Sequence, residues 1–141
     1  MPNLLTDPSK RGNLMSRIGP KNTKSELLVF ASLRAAGISF QKHYKRAPGT
    51  PDVAKPRKRL AVFVDGDFWH GRELDRVIAK HGLDSHWVLK LQRNMERDAE
   101  QQSQLIKMGW SVMRVWDSDL QRVRTRAKTL AGIEAFLRSK D

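Results

Sequence analysis

Apolar positions along this chain recur at two different spacings, and the changes between them outline its elements. Leu27, Leu28, Phe30, Ala31 and Leu33 fall on helical spacing. Thr23 and Glu26 ahead of them form a capping-box signature and Gly37 follows them, so a helix is predicted between these signals. Ile38 to Tyr44 has β character, and Pro48-Gly49-Thr50-Pro51 is a turn that delivers Asp52 and Val53 onto a strand. Pro56 to Arg59 is a basic turn. Leu60 to Val64 is a continuous apolar run of strand length, the pattern of a strand buried on both faces. Gly71 to Ser85 is periodic only in part, with a short helix expected around Glu73 to Lys80. Trp87 to Lys107 reads as a long helix, with Trp87, Leu89, Leu91, Met95, Leu105 and Ile106 facing inward and Arg93, Glu96, Arg97 and Glu100 facing out. Gly109 ends it. Trp110 to Trp116 is a further strand, and a last helix runs from Arg124 to Leu137.

Ahead of these elements, residues 1–12 are polar and read as a flexible basic arm, with a helical turn at Asn13 to Ile18 that Gly19-Pro20 breaks. Residues 13–141 then form one domain. Helices alternating with short buried strands make the expected class α/β, a small mixed β-sheet flanked by helices.

Composition narrows the function. The 141 residues carry 27 Lys plus Arg against 15 Asp plus Glu, a formal net charge of +12. Such a field attracts polyanions, of which nucleic acid is the commonest. The basic residues are dispersed rather than stacked on one amphipathic helix, which weighs against a membrane surface. No cysteine is present, which excludes disulfides, a thiolate zinc site and a cysteine nucleophile. With no stretch of membrane-spanning length and Asp7-Pro8 where a secretion signal would be apolar, the expected location is the cytoplasm, associated with the nucleoid.

Acids that fall where an acid is costly point to the chemistry. Asp52 opens an apolar stretch, Asp65 ends the most hydrophobic strand, and Asp67 sits beside Phe68 and Trp69. Carboxylates at neighbouring strand ends make a hard oxygen site suited to Mg²⁺, and His70 is within reach to act on an attacking water. Metal-assisted phosphodiester hydrolysis suits such a site on a basic protein. Each residue also has a plainer reading: Asp52 as a turn residue, Asp65-Gly66 as hairpin chemistry, His70 as a surface histidine, Glu26 as half of the capping box.

Taken together, Leu14-Met15-Ser16-Arg17-Ile18, Asn22-Thr23-Lys24-Ser25-Glu26, Pro48-Gly49-Thr50-Pro51-Asp52, Val62 to Gly71, Lys90 to Asp98 and Gly109 to Trp116 closely resemble the very-short-patch repair (Vsr) endonuclease family. The resemblance runs in order from residue 10 to residue 137. It implies a restriction-endonuclease-like, PD-(D/E)xK-type fold and nicking of one strand of double-stranded DNA with Mg²⁺, two ions when DNA is bound, 5′ of the T at a T·G mismatch. Carried over residue by residue, it implies Asp52 as the principal metal ligand with the Val64 carbonyl, His70 as the catalytic histidine, and Glu26 orienting it or a metal-bound water. Asp65 is implied either as a ligand or as a partner of the hydrolytic apparatus, and Asp98 as an acid supporting the site from behind. Phe68, Trp69 and Trp87 match aromatic residues wedged beside the mismatch, and Met15 or Leu14 matches a helix entering from the other groove. Core packing is the plainer reading of these aromatics.

Lys90, Arg93 and Arg97, with the Lys55 to Arg59 turn, are the expected phosphate contacts. One departure is clear: where such proteins carry a structural zinc, this chain has Asp67 and Arg72, so no structural zinc is expected and an Asp67–Arg72 ion pair is the candidate replacement. His81 and His86 leave an unconventional metal site open. The expected actor is a monomer, with mismatch-repair proteins or a DNA methyltransferase as candidate partners. Two alternatives remain: a related nickase of a mobile element or defence system with another target, and a catalytically silent DNA-structure-binding module.

Overall fold

The structure is a computed structural model, and it describes residues 23–67, 72 and 74–140. Helix α1 (Lys24–Ala35) is followed by strands β1 (Gln41–Lys42), β2 (Val53–Lys55) and β3 (Leu60–Asp65), a helical hairpin of α2 (Leu74–His81) and α3 (His86–Lys107), strand β4 (Ser111–Trp116), and helices α4 (Asp117–Gln121) and α5 (Val123–Arg138). The strands form one sheet in the order β1-β2-β3-β4, antiparallel from β1 to β3 and parallel between β3 and β4. The β3–β4 connection is a crossover through the α2–α3 hairpin, as a parallel pair requires.

Alternation along β3 separates the two layers. Leu60 and Val62 face Val29, Phe30 and Leu33 of α1, Leu120 of α4, and Ile133 and Leu137 of α5. Ala61 and Phe63 face the other way, onto Leu105 of α3. Leu60, Ala61 and Val62 are wholly buried, as the unbroken apolar run requires of a central strand covered on both sides. A third cluster, Val77 with Val88 and Leu91, joins α2 to α3. The arrangement is the α/β, restriction-endonuclease-like sandwich that the sequence led us to expect.

Three element readings need correction. The β character of residues 38–44 yields only a two-residue strand at the sheet edge. Leu89 and Ile106 are exposed and Val88 is wholly buried, because α3 buries the stripe Val88, Leu91 and Leu105 and its two exposed apolar residues lie one position off it. Helix α4, a single short turn between β4 and α5, has no strong apolar period and was not anticipated. The Gly109 stop is present, with φ of 88° and the Trp110 N–H returning 2.9 Å to the Leu105 carbonyl.

Candidate active site

Local sequence places the first two acids. Thr23 caps α1, its hydroxyl accepting from the Glu26 N–H at 3.2 Å. The Glu26 carboxylate, 5% exposed as a residue, meets a ring from the sheet edge: its Oε1 is hydrogen-bonded to Nε2 of His43 at 2.8 Å. Asp52 is delivered by the turn before β2. Gly49 there has φ of 81° and lies so close under Phe63 that a Cβ would meet the ring at 3.1 Å. Past this turn Asp52 reaches β3, and its Oδ2 accepts from the Val64 N–H at 2.7 Å. The carbonyl of a strand residue leaves the backbone on the same side as its N–H, so the Val64 carbonyl points to the same edge of β3 as the N–H that meets Asp52.

Ligand atoms of Glu26, His43 and Asp52 all lie within 4.8 Å of one another. Burial is the main force raising the Asp52 carboxyl from 3.8 to about 7; the charges of Glu26 and Asp65 and a hydrogen bond with Glu26 add to it, while the Val64 N–H opposes it. A divalent cation reverses the sign of that environment. Neighbouring ligand atoms on an octahedral ion with bonds of about 2.1 Å are about 3 Å apart, and opposite ones about 4.2 Å, so the three groups lie close enough to converge on one ion with a small closure of the site.

Asp65 and Asp98 are brought together by a residue that sequence reasoning did not single out. Arg114 on β4 places Nε 2.9 Å from Oδ2 of Asp65 and Nη2 3.8 Å from Oδ1 of Asp98, with its guanidinium 4.3 Å from the centre of the Phe63 ring. Phe63 pairs with Arg114 and Asp65 with Trp116 in the parallel register, so all four alternate onto the α3 side. A cavity of about 280 Å³ opens there, lined by Asp65, Met95, Asp98, Gln102, Arg114 and Trp116. The Asp65 carboxylate thus meets a guanidinium on one side, and its charge is felt by Asp52 on the other.

The Asp67–Arg72 pair is present and is part of a larger tie. Asp67 accepts from the Ser118 N–H at 3.1 Å and from its hydroxyl at 2.5 Å, and so caps α4, whose own N-cap Trp116 supplies no side-chain cap. Arg72 Nη1 is 3.7 Å from Asp67, 3.3 Å from Asp119 and 3.1 Å from Ser118 Oγ, with its guanidinium over Trp116. Both ends of the segment carrying Phe68, Trp69 and His70 are therefore pinned to one helical turn. Phe68, Trp69 and His70, along with Leu14, Met15 and the arm at 1–12, lie outside the described residues.

Trp87 is half-buried against the cluster of Val77, Val88 and Leu91 and edge-on to His86. Arg93 and Arg97 are exposed on α3 and Lys90 is half-buried. In the basic turn, Lys55 Nζ reaches the Leu137 carbonyl and Arg59 the Met108 carbonyl, so these two cations serve helix C-termini. His43 and Arg114 were missed because neither carries a local motif; what places each is its register against another strand.

Carboxylates at the adjoining ends of β2 and β3, on a sheet sandwiched by helices, are the arrangement expected of a restriction-endonuclease-like nuclease. The family model of the DNA mismatch endonuclease Vsr matches residues 5–76. The type II nicking enzyme V.XorIIP of Xanthomonas oryzae pv. oryzae (strain KACC10331 / KXO85) is 37% identical over 134 residues, 94% of this chain and 92% of the relative. V.HpaIIP of Haemophilus parainfluenzae, also named a type II nicking enzyme, is 35% identical over 119 residues, 82% of this chain and 83% of its own. The DNA mismatch endonuclease Vsr of Escherichia coli (strain K12) is 29% identical over 115 residues, covering 82% and 74%. The chain belongs to the Vsr family and is a DNA endonuclease, which sets aside the silent binding module. Among the described residues no helix is long and apolar enough to cross a membrane.

Proposed function

We propose that this protein nicks one strand of duplex DNA, with Mg²⁺, on the 5′ side of the T in a T·G mismatch, and so acts in very short patch repair. The observation that carries the proposal is the convergence of Glu26 and Asp52 at one strand end in a protein of net charge +12. Asp52, the Val64 carbonyl and Glu26 would hold Mg²⁺, which supplies Lewis-acid stabilisation of the phosphate and a more acidic water. Glu26 orients that water, and His70 handles its proton. Asp98 and Arg114 act from behind, holding Asp65. Phe68, Trp69 and Trp87 open the base step, which costs less at a wobble pair than in intact duplex. Arg93 and Arg97, with Lys90, contact phosphates, and the protein acts as a monomer because one mismatch has no symmetry to match.

A second reading has its own support: two of the relatives described above bear the name type II nicking enzyme, which fits a nickase whose target is set by another sequence. One assay separates the two. Purified protein and Mg²⁺ are given end-labelled duplexes carrying a T·G pair or its T·A counterpart in several contexts, with Asp52→Ala and His70→Ala as controls. A single nick 5′ of the mispaired T, absent in both variants, is expected. Equal cutting of matched duplex assigns the protein to the second reading; cutting by Asp52→Ala removes the site.

A further inference from the structure

We propose that His43 is a nitrogen ligand of the divalent cation, so that Glu26, His43 and Asp52 form a mixed oxygen–nitrogen site that takes Mn²⁺ in preference to Mg²⁺. The inference rests on the metal-dependent reading above and deepens it. His43 Nε2 lies 2.8 Å from Glu26 Oε1, and its ligand atom is within 4.8 Å of that of Asp52. The first separation matches neighbouring positions around one octahedral ion, about 3 Å, and the second bound lies just above the roughly 4.2 Å of opposite positions, so a small closure of the Asp52 carboxylate completes the site.

The backbone holds the ring in place. β1 and β2 pair through Lys42 and Val53, and just beyond this pair the His43 N–H donates to the Asp52 carbonyl at 3.1 Å while the Tyr44 N–H donates to the Pro51 carbonyl at 2.9 Å. Imidazole and carboxylate are thus presented by adjoining ends of one ladder. The ring stands edge-on to Phe30, its centroid 5.8 Å away and its plane turned by 81°. Ligation uses the lone pair of Nε2, so in the loaded state the ring proton resides on Nδ1. Mg²⁺ favours an all-oxygen shell, whereas an imidazole shifts a site towards first-row transition ions, so replacing one oxygen donor by nitrogen sets the preference.

Electron spin echo envelope modulation on the full chain loaded with Mn²⁺ reads the ligand directly, independently of nicking. Nitrogen modulation from a bound imidazole is expected in the wild type and in His81→Gln, and its loss is expected in His43→Gln. Glutamine can still donate a hydrogen bond to Glu26, so a residue that only props the carboxylate would be replaced by it without a change in metal preference. In His43→Gln the Mn²⁺ dissociation constant should rise roughly 10- to 100-fold and that of Mg²⁺ less than about threefold, with the melting transition reporting that the variant is folded. Modulation that is absent in the wild type, that persists in His43→Gln, or that vanishes only in His70→Gln overturns the proposal. Nicking with Mg²⁺ alongside Mn²⁺ bound without nitrogen coupling would end this inference and leave the nuclease reading intact; no divalent binding and no nicking would end both.

Discussion

Thr23 and Asp52 show how single residues set the site. The Thr23 hydroxyl satisfies the N–H of Glu26 itself, so the cap and the carboxylate share one helical turn. Thr23→Ala should cost about 1 kcal/mol in urea denaturation and loosen Glu26 as well, lowering divalent affinity; a loss of stability with affinity unchanged would separate the two roles. For Asp52 the sign runs the other way. Its carboxyl ionises near 3.8 in the unfolded chain and at about 7 in the fold, so as pH rises between these values the unfolded state loses its proton first and the fold loses stability. Without divalent ions at pH 8, Asp52→Asn should therefore melt roughly 5 °C above the wild type, a gap that closes towards pH 4. Mg²⁺ should raise the wild-type transition at pH 8 and leave the variant where it is. A variant less stable than wild type at pH 8 would contradict this account of the carboxyl.

Elements place what residues alone cannot. The turn before β2 passes under Phe63 only because Gly49 has no Cβ and tolerates φ of 81°. Gly49→Ala should cost about 1–3 kcal/mol, and because the turn leads straight to Asp52, metal affinity should fall by more than the loss of folded protein explains, as calorimetric titration would show. Between β3 and β4, Arg114 links the acids of two elements. Arg114→Ala strips the 6%-exposed Asp65 of its guanidinium beside Asp52, and unfolding in denaturant should show a loss of about 3 kcal/mol. Arg114→Lys keeps the charge but not the fork, and should recover only part of it. Full stability in Arg114→Ala would mean that the ion pair is incidental.

Over the whole molecule, the charge of +12 and the sandwich act together: helices on both faces bury the sheet and leave cations such as Arg93 and Arg97 in solvent. If about six phosphates are neutralised, the logarithm of DNA affinity should fall with the logarithm of salt at a slope near −5, measured by fluorescence anisotropy. Reversing Arg93 and Arg97 together to Glu should make that slope shallower by about two and weaken matched and mismatched duplexes alike. A change confined to the mismatched duplex would assign these cations to recognition instead.

Much of this protein is legible in the chain itself, for reasons that are local. Periodicity, caps and stops act over a few residues, so α1, α3, β3, β4 and α5 could be read from the chain, as could Glu26 beside its cap and Asp52 beside its turn. The motif order also carried the family. Tertiary structure alone decided which acids keep company. Glu26 and His43 are 17 positions apart, and Asp65 and Arg114 are 49 apart; each pair meets because of sheet register and helix docking, which no local pattern encodes. The same holds for Asp67, whose carboxylate caps a helix 51 positions away. Local sequence thus determined the elements and the chemical inventory, while the long-range register of four strands determined that His43 joins Glu26 and Asp52 and that Asp65 is matched to Arg114.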